Sequence, residues 1–164
     1  VPGSPGLYLN NSLAGFATGG SWITELSSTR IAITDGKVSS GSNRDDVVYS
    51  FKSVEGFSKI GSYTGNGSTN GTFVYTGFRP AFVLGKSITS SGDNWFVFDN
   101  KRDVDNVVGA DLNPDSTATE ATSTYMDFVS NGFKLRSTSG LVNDATTFVY
   151  MAFAEQPFKF SNAR

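Results

Sequence analysis

Phe73-Val-Tyr-Thr-Gly-Phe-Arg-Pro-Ala-Phe-Val-Leu-Gly85 is the stretch that decides the fold of this chain. Its aromatic and β-branched residues favour extended backbone. Proline cannot donate to a sheet ladder, so Arg79-Pro80 predicts a kink, a bulge or the start of a strand. Residues 81–84 are apolar on both faces, which is typical of a strand inside a sandwich.

The rest of the chain repeats this pattern of short apolar runs between turns. Alternation over Val47–Val54 predicts a half-buried strand, and over Thr147–Ala154 it places Phe148 and Tyr150 on one face. Turn pairs such as Asn131-Gly separate these runs. We count roughly nine to twelve short strands, with residues 99–124 as a long surface excursion and no convincing helix, which is typical of a sandwich or barrel.

Length and composition set limits on the class of protein. The chain has 164 residues, which predicts an extended lead-in over residues 1–20 and a single domain over residues 21–164. Because it starts at Val1 rather than Met, we expect a fragment of a larger protein or a processed one. With no histidine and no cysteine, the chain cannot build a Ser-His-Asp triad, a disulfide or a thiolate metal site.

The net charge and the length of the apolar runs limit the kinds of partner that we expect. A formal net charge of −2 gives no basic field, so we expect no nucleic-acid partner. No apolar run approaches the roughly 18 residues of a membrane span, so we expect no membrane insertion.

Four segments together resemble a domain of unassigned function in the virion proteins of tailed bacteriophages. They are Gly61-Ser-Tyr-Thr-Gly-Asn-Gly67, Gly77-Phe-Arg-Pro-Ala-Phe-Val-Leu84, Asp127-Phe-Val-Ser-Asn-Gly-Phe-Lys-Leu-Arg136 and Tyr150-Met-Ala-Phe-Ala-Glu-Gln-Pro-Phe158. The resemblance covers about residues 49–164 and brings no agreed catalytic residues. It implies an all-β fold, an antiparallel β-sandwich of the jelly-roll or concanavalin-like kind, and a place in the phage particle, where virion subunits act as symmetric multimers.

Aromatic residues beside polar loops are candidates for binding a sugar, because ring faces pack on the apolar face of a sugar. The candidates are Trp95, Tyr63, Tyr125 and Tyr75, with core packing as the alternative for each. Arg79 is a candidate for ligand binding or a subunit contact, with a satisfied structural arginine at a kink as the alternative. Glu155 is expected to end a strand and to pair with Arg79 or Lys159.

Oxygen-rich and carboxylate residues suggest two further sites. Asp99, Asp103 and Asp105 are candidate calcium ligands, although the spacing lacks the EF-hand glycine and glutamate, and a solvated loop is the alternative. We otherwise expect no cofactor. A glycosidase needs a pair of carboxylates, and the candidates are Glu25, Glu55, Glu120 and Glu155.

The sequence therefore favours a non-enzymatic virion domain. Its expected role is host-surface glycan binding at a tail fibre or spike, with likeness to a lectin, and it is expected to form a homo-oligomer in the particle. Capsid decoration, by binding other virion subunits, is the first alternative. A polysaccharide-degrading glycoside hydrolase on the same sandwich is the second.

Overall fold

A computed structural model describes residue 7 and residues 9–10, 12–15, 23–27, 30–33, 49–90 and 92–156. Ten strands and one helix lie in these ranges. In chain order they are β1 Ile23–Leu26, β2 Ile31–Ile33, β3 Ser58–Thr64, β4 Phe73–Tyr75, β5 Pro80–Ser87, β6 Phe96–Asp99, β7 Val108–Asp111, β8 Ala121–Val129, β9 Gly132–Leu135, α1 Gly140–Asn143 and β10 Thr147–Ala154.

The chain divides into two compact units. The first consists of Val1–Leu7 and Gly15–Ser50, and the second of Tyr8–Ala14 and Phe51–Arg164. In the first unit, β1 and β2 pair as an antiparallel hairpin. The predicted boundary at residue 20 falls among residues 16–22, which lie outside the described residues, so it stays a prediction.

The second unit is a sandwich of two antiparallel sheets, which confirms the predicted all-β class. One sheet has the order β3-β10-β5-β6 and the other β4-β9-β8-β7. Strands β3 and β4 therefore form the edges of their sheets, and each sheet closes one side of a shared core.

The stretch quoted first crosses between the two sheets. Val74 of β4 is paired with Phe133, while Pro80 begins β5 in the opposite sheet. Proline is tolerated there because it occupies the first position of its strand, where a missing donor costs least. Two of the three outcomes predicted for Arg79-Pro80 are confirmed: Pro80 starts the strand, and the pairing with β10 is interrupted there by a bulge-like shift of register.

Alternation along β10 builds the middle of the core. Phe148, Tyr150 and Ala152 are buried, as the period of two predicts. The core that they join is aromatic, and it consists of Tyr63, Val74, Phe78, Val83, Phe96, Phe98, Val108, Met126, Phe128, Phe133, Leu135, Val142, Phe148, Tyr150 and Ala152.

The strand predicted over Val47–Val54 is wrong for its described part. Residues 49–53 are not in a strand, and Tyr49 is 80% exposed. The backbone instead makes a turn, in which the Phe57 amide donates to the Val54 carbonyl at 3.0 Å. The segment lies along β3 through single contacts rather than a ladder, so alternation alone could not pair it.

The excursion predicted over residues 99–124 is also more regular than expected. It contains β7, which is buried along its whole length, and the start of β8. Arg102 holds this region to the sheet. Its guanidinium donates to the carbonyls of Ala110 and Val97 at 2.9 and 3.0 Å and to carboxylates of Asp99 and Glu120 at 2.6 and 2.8 Å.

Acid should weaken this contact of Arg102. Burial raises the pKa of Asp99, but hydrogen bonds from the Arg102 side chain and from two backbone amides outweigh it, so the pKa lies below its usual value. A carboxyl group with a lowered folded-state pKa stabilises above its unfolded pKa, and that stability is lost as pH falls through the folded pKa. We expect the free energy of unfolding to fall below about pH 4, and to fall less in Asp99→Asn.

Urea unfolding at neutral and acid pH measures this difference. Asp105→Asn, which removes an exposed carboxylate, is the matched control and should behave as the wild type. If Asp99→Asn loses as much unfolding free energy at acid pH as the wild type, the Asp99 carboxylate contributes nothing to the pH dependence.

A single-turn helix, α1, departs from the prediction of no helix. Ser139 caps it by accepting a hydrogen bond from the Leu141 amide at 3.3 Å. Four residues are too short for a periodic signal, which explains why the pattern did not predict it. No helix in the described part of the chain has the length and apolar character needed to cross a membrane.

Candidate functional site

A groove of about 430 Å³ opens beside the edge strands β3 and β4 of the second unit. Its lining combines polar side chains, two glycines and the ring of a tyrosine. The described residues that line it are Ser53, Val54, Glu55, Gly56, Ser58, Lys59, Tyr75, Thr76, Gly77, Phe78 and Gln156.

One wall is the turn that precedes β3. Ser53 fixes it, because its hydroxyl donates to the Ile60 carbonyl at 3.3 Å and accepts from the Ile60 amide at 3.0 Å. Val54 and Ser58 exchange two backbone hydrogen bonds of 2.9 Å. Gly56 turns the chain between them with φ of 71°, a left-handed conformation that favours glycine.

The opposite wall is the segment that leaves β4. The amides of Thr76 and Gly77 both donate to the Asn131 carbonyl, at 3.0 and 3.1 Å. The Thr76 hydroxyl donates to the Phe78 carbonyl at 2.6 Å. Both walls are therefore held by the protein itself, and the groove is formed in advance of any ligand.

Four side chains in the lining make no hydrogen bond or ion pair with the described part of the chain: Glu55, Lys59, Tyr75 and Gln156. They supply a carboxylate, an ammonium group, a phenol and an amide. Tyr75 is 63% exposed, so its ring is available for stacking. Such a set can bind a ligand that has many hydroxyls and one apolar face.

Arg79 lies next to the groove lining rather than in it. Its guanidinium pairs with one carboxylate oxygen of Glu155, and Asn100 donates to the other at 2.9 Å. The Glu155 amide also donates to the Arg79 carbonyl at 3.0 Å. Of the two partners predicted for Glu155, Arg79 is the one observed, while ligand binding and a subunit contact by Arg79 stay predictions.

Tyr63 belongs to the core. Its ring stacks on Phe148 with centroids 5.0 Å apart and meets the edge of Phe133 at 5.9 Å. Its hydroxyl donates to the Val142 carbonyl at 2.7 Å, and burial raises its pKa well above the usual value. With 7% of its surface exposed, Tyr63 is not placed to stack on a sugar.

Trp95 and Tyr125 are half-buried and lie outside the groove lining. The Trp95 amide donates to an Asp115 carboxylate oxygen at 3.1 Å. The Tyr125 ring packs 5.1 Å from that of Phe98, and burial followed by the charge of Asp111 raises its pKa. The structure does not bring these two residues together with Tyr75 in one site.

The three candidate calcium ligands do not gather into one site. Asp99 is held by Arg102, and one oxygen of Asp103 accepts from the amides of Gly109 and Ala110 at 2.7 and 2.6 Å. Asp105 is exposed. No group of three or more acidic side chains able to hold a metal ion occurs in the residues that the structure describes.

The sequence analysis named Tyr75 as one of several aromatic candidates and missed Lys59 and Gln156, which line the groove with it. Glu55 was considered only as a catalytic carboxylate. The one available signal was the alternation of side chains along a strand, which places Phe73 and Tyr75 on the face opposite Val74. No local pattern could show that this strand and β3 border one groove.

Comparison with known proteins gave one match. A family model described as Domain of unknown function (DUF7483) matches residues 4–157. No curated protein matches the chain. No solved structure matches it either.

Proposed function

The chain belongs to the family described as Domain of unknown function (DUF7483), and we propose that it is a non-enzymatic, glycan-binding domain of a bacteriophage particle. The observation that carries the binding role is the groove beside β3 and β4. It combines an exposed ring, Tyr75, with three polar side chains that the described protein leaves without partners.

The groove suits a short stretch of sugar. Ligand sites in proteins commonly enclose about 300–1,000 Å³, and this groove holds about 430 Å³. Glu55 can accept hydrogen bonds from sugar hydroxyls, and Lys59 can donate to them. Because both walls are fixed by hydrogen bonds, little conformational entropy is lost when a ligand binds.

The number and the pairing of the carboxylates favour binding over hydrolysis. A glycosidase places two of them roughly 5–9.5 Å apart across the scissile bond. Among the described residues that line the groove, Glu55 is the single carboxylate. Glu155 and Glu120 are held by Arg79 and Arg102, which makes them poor candidates for moving protons.

The particle setting is supported by the four segments that resemble phage virion proteins. Two contacts join these segments beside the groove: Gly77 with Asn131, and Arg79 with Glu155. The residues that carry the resemblance therefore shape the groove wall and its support. We place the domain at a tail fibre or spike, where binding to a host-surface glycan serves adsorption.

Removing the Tyr75 ring should weaken glycan binding by about tenfold or more, since stacking and burial of an aromatic ring are worth at least roughly 1.4 kcal/mol. Tyr75→Phe keeps the ring and should lose less. A glycan array screened with the purified protein identifies the ligand, and titration calorimetry on the variants measures the loss.

Phe73→Ala is the matched control. Phe73 lies two residues away on β4, is 44% exposed and is absent from the groove lining, so its loss should leave affinity unchanged. Equal losses from the two alanine variants, or an array on which nothing binds, would contradict the proposal.

Labelling the domain on intact particles tests its setting. Label at the tail tip or along a fibre is the expected result. Label in a regular lattice over the shell would instead make this a decoration protein, which binds other virion subunits, and the adsorption role would be given up.

A further inference from the structure

Lys86 is one of the largest wholly buried side chains in the described chain, with 0% of its surface exposed. It is the next-to-last residue of β5 and contributes nothing to the groove. Its ammonium group has three hydrogens to donate, and the backbone carbonyl of Asp93 is its hydrogen-bond acceptor. A buried ammonium group with one acceptor is incompletely satisfied, and that is costly.

Asp115 has the complementary deficiency. One of its carboxylate oxygens accepts from the Trp95 amide at 3.1 Å. The other is buried and has no hydrogen-bond partner in the described structure. A buried carboxylate oxygen without a donor is likewise costly.

The fold brings these two groups to the same segment, residues 93–95. In the β5–β6 pair Gly85 lies opposite Phe96, so Lys86 and Trp95 each lie one residue beyond the paired stretch at the same end of the two strands. Lys86 bonds to Asp93, and Asp115 bonds to Trp95. No ion pair joins the two side chains, but the flexible four-carbon stem of lysine can turn the amine toward the carboxyl group.

We propose that Lys86 and Asp115 condense into an intramolecular amide. The Lys86 nitrogen attacks the carboxyl carbon of Asp115, a C–N bond forms, and the carboxyl C–O bond breaks. The ammonium group and the carboxylate together become one amide and one molecule of water. No oxidant, reductant or cofactor is consumed.

Physical conditions at this position favour the condensation. Burial lowers the pKa of Lys86, which promotes the neutral, nucleophilic amine, although the negative charges of Asp115 and Asp93 act in the opposite direction. Both groups are anchored by hydrogen bonds to residues 93–95, so the reaction is intramolecular and avoids the entropic cost of bringing two molecules together. The product also replaces two incompletely paired charges by one neutral group.

The cross-link would join the two sheets covalently. Lys86 belongs to a strand of one sheet, and Asp115 follows β7 of the other. The inference is independent of the proposed glycan binding, since neither residue lines the groove.

Intact mass measurement on the denatured, purified chain tests the proposal. The expected result is a mass lower by one water than the sequence requires, with a fragment in which the peptides carrying Lys86 and Asp115 stay joined after proteolysis. A mass that equals the sequence mass overturns the proposal.

Two variants separate this bond from other dehydrations. Lys86→Met keeps an unbranched chain but lacks the amine, so it should return to its full sequence mass. Lys134→Met, at a half-buried lysine that donates to the Gly71 carbonyl, should keep the dehydrated mass. Water loss that persists in Lys86→Met would point to another source, such as cyclisation at Asp35-Gly36, and would also overturn the proposal.

Discussion

Replacing Asn143 by alanine is expected to lower the free energy of unfolding by about 3 kcal/mol. Asn143 is 0% exposed. Its amide nitrogen donates to the carbonyls of Ser137 and Ser68 at 2.7 and 2.8 Å and to the Asn66 side chain at 3.1 Å, while its oxygen accepts from the Asn66 amide at 3.0 Å. Alanine removes every one of these bonds and leaves a space where the amide was.

Thermal melting measures this effect, and a loss of that size should lower Tm by roughly 6–12 °C in a chain of this length. Asn143→Asp should cost at least as much, because it sets a carboxylate against two carbonyls. Asn70→Ala changes an exposed side chain of the same loop and should stay within about 0.5 kcal/mol of the wild type. If Asn143→Ala has the same Tm as Asn70→Ala, the Asn143 amide does not anchor the loop.

Gly132→Ala is expected to be the second large effect, about 3 kcal/mol of stability together with loss of glycan binding. A Cβ at this position would lie 2.1 Å from the carbonyl oxygen of Val74, which is backbone and cannot rotate away. Strand β4 would have to move off β9. Tyr75 lies opposite Gly132 in the register, so the groove would lose its ring from the productive position.

Urea unfolding and titration with the identified glycan measure the two losses. Gly140→Ala is the matched control, since the nearest atom to an added Cβ there is 4.0 Å away, and it should leave both quantities unchanged. Should Gly132→Ala bind glycan as tightly as the wild type, the ring that carries binding is not the one on β4.

The sequence predicted best those strands whose two faces differ. Thr147–Ala154 was predicted with the bounds that the structure has, because Phe148, Tyr150 and Ala152 alternate with less buried residues. Pro80 likewise marked a boundary correctly. In both places the signal is local, because side-chain alternation and the missing N–H of proline depend only on the residues of that strand.

The failures occurred where distant residues decide the structure. Residues 49–53 alternate like a strand, yet Ser53 bonds to β3 through its side chain rather than through a ladder. The sequence did not predict strand β7 because it lies in a charged stretch. Arg102 forms ion pairs with Asp99 and Glu120, and these pairs let the charged stretch pack on the sheet. Neither contact leaves a periodic signal in the sequence.

The same limit applies to the candidate site. Aromatic residues could be named from the sequence, and alternation separates the two faces of a strand, but it does not say which face is buried, so it does not distinguish the ring of Tyr63 from that of Tyr75. Both residues lie on edge strands, and the distinction arises from the face each ring occupies: Tyr63 faces the core between the sheets, whereas Tyr75 lies on the outer face of β4, opposite buried Val74.

The hydroxyl of Ser53 also blocks part of a free sheet edge. A free sheet edge is a template on which another chain can add a strand, and this is how aggregation and fibril growth begin. By occupying both the N–H and the C=O of Ile60, Ser53 removes the docking points in the middle of the β3 edge. The β3 edge of one copy therefore has no free pairing groups at Ile60 to offer to a strand of another chain.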